Sequence, residues 1–148
     1  TAVTRVEDTA TTGEIGDITG ITLKQDAQWY LYKFRKNTGS MTSTLNVNDD
    51  TGNTYVTTEI NLVFGRMDTK KRIEMTALVQ SEVVAVVLDS NGIAWYVGFD
   101  DYVSASAGTG ETGTAKEDRN AYTITLSTDS AEWPYELSAA AIASVVGS

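Results

Sequence analysis

Tyr55-Val56-Thr57-Thr58-Glu59-Ile60-Asn61-Leu62-Val63-Phe64 is the stretch that decides the fold, together with Asp68-Thr69-Lys70-Lys71-Arg72-Ile73 and Val83-Val84-Ala85-Val86-Val87-Leu88 behind it. The first run alternates as a strand does. Val56, Thr58, Ile60, Leu62 and Phe64 fall on one face, and Tyr55, Thr57, Glu59, Asn61 and Val63 on the other. At Asp68 the period changes. Ile73, Ala77 and Leu78 recur at helical spacing, Met67 and Ser81 extend the stripe, and Asp68 is a good N-cap, so a helix is predicted over 68–82. Val83 to Leu88 is nearly all apolar, as a strand covered on both faces would be. It turns at Asp89-Ser90-Asn91-Gly92, whose Asn-Gly pair suits positive φ, into Ile93-Ala94-Trp95-Tyr96-Val97-Gly98.

Upstream, Met41 to Val47 alternates with period two and Asn48-Asp49-Asp50-Thr51-Gly52-Asn53 is polar, so Met41 to Phe64 reads as a long hairpin with a polar tip. Trp29-Tyr30-Leu31-Tyr32-Lys33-Phe34-Arg35 reads as an aromatic-rich strand, with a turn at Asn37 to Ser40. Tyr30, Tyr32 and Phe34 would share one face, and Trp29, Leu31 and Lys33 the other. A strand apolar on both sides is either central to a sandwich or at a subunit contact. Ile18 to Leu23 is expected to be the first strand. Thr1 to Asp17, poor in apolar residues, is expected to be a flexible arm or a strand that orders against a partner.

Downstream, Tyr102 to Ser106 predicts a strand and Ala107 to Asn120 a long polar loop. Ala121 to Ser127 alternates, and Trp133-Pro134-Tyr135-Glu136-Leu137 reads as an edge segment because Pro is tolerated there. Ser138 to Ser148 predicts a short helix or a tail. The expected fold is mainly β: a β-sandwich or barrel over 18–137 with one flanking α-helix and a long extended hairpin.

Composition narrows the chemistry. The 148 residues make one domain, and 20 acidic against 11 basic side chains leave a net charge of −9. Gripping nucleic acid takes clustered Lys and Arg, so this balance disfavours it and suits solubility or a surface that lets DNA pass. There is no Cys and no His, which removes thiolate chemistry, disulfides and the commonest general base and metal ligand. No apolar run reaches the ~18 residues of a membrane span. No basic-then-apolar leader opens the chain, and a start at Thr1 fits removal of an initiator Met.

Candidate sites are correspondingly few. Asp49-Asp50 and Asp100-Asp101 sit at predicted turns, where Asp is favoured for backbone reasons, and adjacent strand residues point to opposite faces. Asp49 to Asn53 and Asp89 to Gly92 bear a faint likeness to calcium loops, but lack the helix flanks and distal Glu of an EF-hand. Gly108-Thr109-Gly110-Glu111-Thr112-Gly113 matches the dinucleotide fingerprint by letter only. No catalytic residue, metal ligand or cofactor site is assigned, and the chain is not expected to be an enzyme. The local anomaly is Lys70, Lys71 and Arg72 in the first turn of the helix, where the macrodipole is already positive. They suit either a solvated face or a neighbouring copy's carboxylates.

A long hairpin with a polar tip, a single helix, a further hairpin and late strands resemble, from about Ile18 to Leu137, the tail tube proteins of tailed phages and the inner-tube proteins of contractile injection and type VI secretion systems. The run Asp89-Ser90-Asn91-Gly92 to Gly98, then Gly113-Thr114 to Asp118-Arg119-Asn120-Ala121-Tyr122, is also similar to virion proteins of phages of Bacteroidota-type hosts. The resemblance implies six copies in a ring, rings stacked into a hollow tube with an acidic lumen, and assembly in the host cytoplasm into a virion tail. It implies contacts with other tail proteins, passage of DNA without specific binding, and no membrane partner. The inter-ring hairpin would carry its tip at Asn48, Asp49, Asp50, Thr51, Gly52 and Asn53. Lys70, Lys71, Arg72, Trp29, Tyr30 and Tyr32 would meet neighbouring subunits. The arm at 1–17 would order only in the assembly, and the apolar stretch Ala139 to Val146 has no counterpart in the resemblance. The alternatives are another virion component, a capsid decoration or head–tail connector protein, or a binding module using the 107–120 loop.

Overall fold

A computed structural model describes residues 2–5 (through their backbone), 18–23, 25, 27–34, 38–114 and 120–146. The protein is mainly β, with antiparallel sheets and two helices. β1 (Ala2–Arg5) pairs with β2 (Ile18–Thr22). β3 (Gly39–Asn48), β4 (Asn53–Gly65), β8 (Ala121–Ser130) and β7 (Ser104–Glu111) lie side by side in that order as a four-stranded sheet. β5 (Ala85–Leu88), β6 (Ala94–Val97) and β9 (Tyr135–Glu136) form a three-stranded sheet. α1 (Thr69–Val79) joins the two larger sheets, and α2 (Ala139–Val146) closes the described chain.

Alternation in β4 is realised as predicted: Val56, Thr58 and Ile60 are buried and Leu62 and Phe64 half-buried. The ladder places Thr128, Leu126, Ile124 and Tyr122 of β8 beside them on this inner face. Ile60, Ile124 and Leu126 then pack with Met75 of α1, Val97 of β6 and Val103 in one core, which Ala85 and Val87 join. The opposite face of the small sheet contributes Val86, Ala94, Tyr96 and Tyr135 to a second core with Ile18, Leu137, Ala141 and Ile142. The small sheet is thus the middle of three layers. Its β5 is covered on both faces as far as Val87, which is why Val83 to Val87 is apolar without alternation, while Leu88 at its end is exposed.

The polar tail of β3 and the start of β4 form the predicted hairpin, paired from Gly39–Leu62 to Asn48–Asn53. It is less free than an extended arm. β8 pairs β4 from Val56 to Gly65, so only Asn53 to Tyr55 and their β3 partners overhang the sheet. At the tip the Asn48 side chain accepts from the N–H groups of Asp50 (3.1 Å) and Thr51 (3.3 Å), and Gly52 takes φ +69°.

Several expectations are corrected. Trp29 to Phe34 is not a strand; it runs without a ladder. Phe34 and Tyr32 stack edge-on against Phe64 at centroid distances of 5.3 and 5.5 Å, so the segment lies across the inner face instead of beside an edge. A Cβ at Gly39 would come 3.3 Å from the Phe34 ring, so glycine leaves room for that crossing. α1 ends at Val79 with Gln80 as C-cap, short of the predicted Glu82. Its buried face is Met75 with Leu78, while Ile73 is 62% exposed and Ala77 and Ser81 are exposed. Both stripes have helical period, and Met75 wins because it sits about 200° from Ile73, over the sheet. Ala107 to Glu111 belong to β7, so the predicted loop is shorter, and its residues 115–119 lie outside the described residues. Gly39 and Ser40 open β3 where a turn was expected. In the 89–92 turn Gly92 alone takes positive φ, +85°. Ala2 to Arg5 pair with β2, whereas residues 1 and 6–17 of the expected arm, and Arg35 and Asn37, lie outside the described residues. The C-terminal stretch is a helix, fixed by Ala141 in the second core and by the Ser138 N–H donating to the Ile18 carbonyl at 2.9 Å.

Candidate assembly surfaces

Asp68 caps α1 as predicted: its Oδ1 accepts from the Lys71 N–H at 2.8 Å. No acidic residue follows in the first turn. The three cations there differ in their surroundings. Lys71 is held within its own chain, its ammonium 3.9 Å from the Asp68 carboxylate and donating to the Gly65 and Arg66 carbonyls. Lys70 and Arg72 are exposed and make no ion pair among the described residues. Lys71 therefore does local work at the β4–α1 corner, where Arg66 takes φ +65°, and the unmatched charge belongs to Lys70 and Arg72.

The aromatic segment lies close to the same helix. Burial pushes the Tyr32 hydroxyl above its ordinary value, with Glu74 of α1 and Tyr30 adding to the rise. The Tyr32 phenol thus feels the Glu74 charge, while Tyr30 (69% exposed) and Leu31 (72%) remain open and Trp29 is half-buried. Two groups of residues singled out separately in the sequence, Trp29-Tyr30-Tyr32 and Lys70-Lys71-Arg72, are brought to one end of the sheet. The hairpin tip, Asn48 to Asn53, lies at the other end, roughly 40 Å away along β4 at ~3.3 Å per residue. Leu45 and Val47 are exposed on the inner side near this tip.

The outer face of the four-stranded sheet has a different chemistry. Register places Thr42, Thr44 and Asn46 of β3, Tyr55, Thr57, Glu59, Asn61 and Val63 of β4, Ala121, Thr123, Thr125, Ser127 and Asp129 of β8, and Ser104, Ala107, Thr109 and Glu111 of β7 on it, mostly polar side chains with Tyr55 and Val63 among them. None of these belongs to either core. The side chains are cross-linked: Asn46 donates to the Thr57 hydroxyl at 2.9 Å, Thr57 to Asp129 at 2.6 Å, and Thr125 to Asn61 at 2.7 Å. Glu59, Glu111 and Asp129 give the face negative charge, and no Lys or Arg of β3, β4, β7 or β8 lies on it. Alternation within β4 had separated Glu59 and Asn61 from the core. What was not legible was the register that aligns four such strands into one surface.

The remaining motifs are structural. Asp89 accepts from the N–H groups of Asn91 (2.7 Å) and Ile93 (3.0 Å) and from the Trp95 indole (3.2 Å). The Ile93 bond above all holds its carboxyl below the usual range, with Trp95 and the turn amides adding to it. Gly108 and Gly110 lie inside β7, where a Cβ on Gly110 would come 3.1 Å from the Tyr122 ring and 3.2 Å from Met67, so the letter match is not a phosphate loop. Among the described residues no three acidic side chains cluster to hold a metal, and no helix is long and apolar enough to cross a membrane. No family model, curated protein or solved structure matches the chain.

Proposed function

We propose that the protein is a self-assembling structural subunit of a phage tail tube, with copies arranged in hexameric rings that stack around a channel for DNA in the virion. The observation that carries this reading is the outer face of the four-stranded sheet. A hydroxyl- and amide-rich wall with three carboxylates and no Lys or Arg from its four strands repels phosphate and offers it little to pair with, as a DNA conduit requires. The net charge of −9 acts in the same sense. Further support comes from polarity along the sheet, with a hydrogen-bonded hairpin tip at one end and, at the other, open aromatic side chains with Lys70 and Arg72, which make no ion pair among the described residues. Such a subunit suits heterologous, head-to-tail contacts, which close into rings and stack.

Negative-stain microscopy of the purified protein tests the assembly: rings of six or tubes are expected. A clean monomer at high concentration overturns it. Monomers or trimers that bind capsids favour a decoration protein instead, and saturable binding of another ligand by a monomer favours a binding module. The lumen assignment has its own test. Thr42→Lys with Thr125→Lys leaves ring formation intact and makes the tubes retain DNA in a salt-dependent way; unchanged DNA behaviour removes that face from the channel.

A further inference from the structure

A cleft of about 340 Å³ lies where β6 leaves the small sheet, lined by Val84, Tyr96, Gly98, Phe99, Asp100, Asp101 and Tyr102. It is unrelated to the outer face of the large sheet, and its walls are built rather than incidental. Gly98 takes φ +103°, and a Cβ there would come 3.2 Å from Val103 and 3.4 Å from Val84, so the chain can make this turn tightly only with glycine. The Thr128 hydroxyl donates to the Asp101 carbonyl at 3.0 Å, and the Ala131 N–H donates to Asp100 Oδ2 at 3.0 Å, so β8 and the loop after it hold the turn at two points. Phe99 is wedged edge-on between Tyr96 (6.5 Å) and Tyr135 (5.0 Å).

Three polar groups in this cleft have unused capacity. Asp100 Oδ2 is taken by Ala131 and Asp101 Oδ1 accepts the Tyr102 N–H at 2.9 Å, and Asp100 Oδ1 and Asp101 Oδ2 accept no hydrogen bond among the described residues. Neither carboxylate makes an ion pair among the described residues. Tyr96 is 2% exposed, yet its hydroxyl has no hydrogen-bond partner among the described residues. Among the described residues no fully buried side-chain polar atom goes unpartnered, so this hydroxyl, on a residue that lines the cleft, keeps some solvent contact. The turn reading of Asp100-Asp101 is correct as far as it goes and accounts for half of their oxygens.

We infer that this cleft binds a small primary alkylammonium ion. Its N–H groups would donate to Asp100 Oδ1, Asp101 Oδ2 and the Tyr96 hydroxyl oxygen, and its alkyl part would lie against Phe99 and Tyr102. Carboxylates without cationic partners beside aromatic rings attract an organic cation by charge and by the ring quadrupole together. A hard divalent cation wants six or more oxygens, which the two carboxylates do not supply. A neutral sugar would stack on the rings and leave the negative charge unmatched.

Titration with n-butylammonium chloride, followed by amide resonances in two-dimensional NMR, tests this at neutral pH against a sodium chloride control. Saturable shifts confined to Gly98–Tyr102, Val84 and Ala131 are expected at millimolar ligand. Asp100→Asn with Asp101→Asn keeps the acceptors for Ala131 and Tyr102 and removes the charge, and weakens binding by about tenfold or more. Tyr96→Phe weakens the primary amine more than tetramethylammonium, which has no N–H to donate. Shifts no larger than those of the salt control overturn the proposal. So does affinity unchanged in the Asn double variant with a wild-type thermal melt, or saturation by glucose at least as strong as by the amine.

Discussion

Val56 to Phe64 and Trp29 to Phe34 are both rich in β-forming residues, and only the first has a ladder on either side. The difference is in what each segment offers its neighbours. β4 separates polar from apolar side chains and can bury one face while both edges pair. The aromatic segment is apolar on both sides, so its rings settle on the exposed end of an existing core through Phe64, and its backbone pairs with no strand. Propensity describes a fit to a pleated, half-buried surface; pairing needs a partner edge as well. On the proposed reading, the surface that completes the aromatic segment is a neighbouring copy.

Truncating a side chain in each segment should separate their roles. Ile60→Ala removes a side chain 4% exposed in the main core and is expected to cost about 2–5 kcal/mol in urea denaturation. Tyr30→Ala should change monomer stability by less than about 0.5 kcal/mol while impairing assembly in the microscope. Equal losses for the two would mean that the aromatic segment is part of the monomer's core. Phe64→Ala joins both regions: it should cost about 3 kcal/mol and speed hydrogen exchange at 29–34, because Tyr32 and Phe34 lose the ring they lean on.

Smaller effects come from the corner that follows β4. Asp68→Ala removes the helix cap and should lower stability by about 1 kcal/mol, read from the denaturant midpoint. Exchanging Lys70 and Arg72 for Glu should block assembly and leave the melt unchanged, whereas Lys71→Glu should also destabilise the monomer, since Lys71 holds the Gly65 and Arg66 carbonyls.

Two titrations refine the middle layer. Burial, and secondarily the Tyr102 phenol, push the Tyr96 hydroxyl up to about 12 from an ordinary value of 10.0. The native state then holds a proton the unfolded chain gives up, so stability should fall as pH rises from about 10 to about 12, and Tyr96→Phe should remove that fall. Asp89 is depressed, so its contribution is full above the ordinary carboxylate range and is lost as pH falls through its lower folded value. Trp95 fluorescence should report that acid transition, and Asp89→Asn should abolish it.

Elements whose signal is local could be read from neighbouring residues alone. Alternation in β3, β4 and β8, the Asp68 cap, the apolar run into β5, the turn at Asp89 and the edge position of Pro134-Tyr135 are each written in a few neighbouring residues, because backbone period and turn chemistry act at that range. Tertiary structure decided what depends on distant partners. Which stripe of α1 is buried, whether Trp29 to Phe34 finds a ladder, and how far β7 runs into its Gly- and Thr-rich segment were settled by the shape of the sheet they meet. The same holds for the polar wall: Thr57, Asn61, Thr125 and Asp129 meet across 64 or more residues of chain, through a register that no single strand encodes. The cleft at Asp100 and Asp101 likewise exists because Thr128 and Ala131, far along the chain, hold its turn open beside Tyr96.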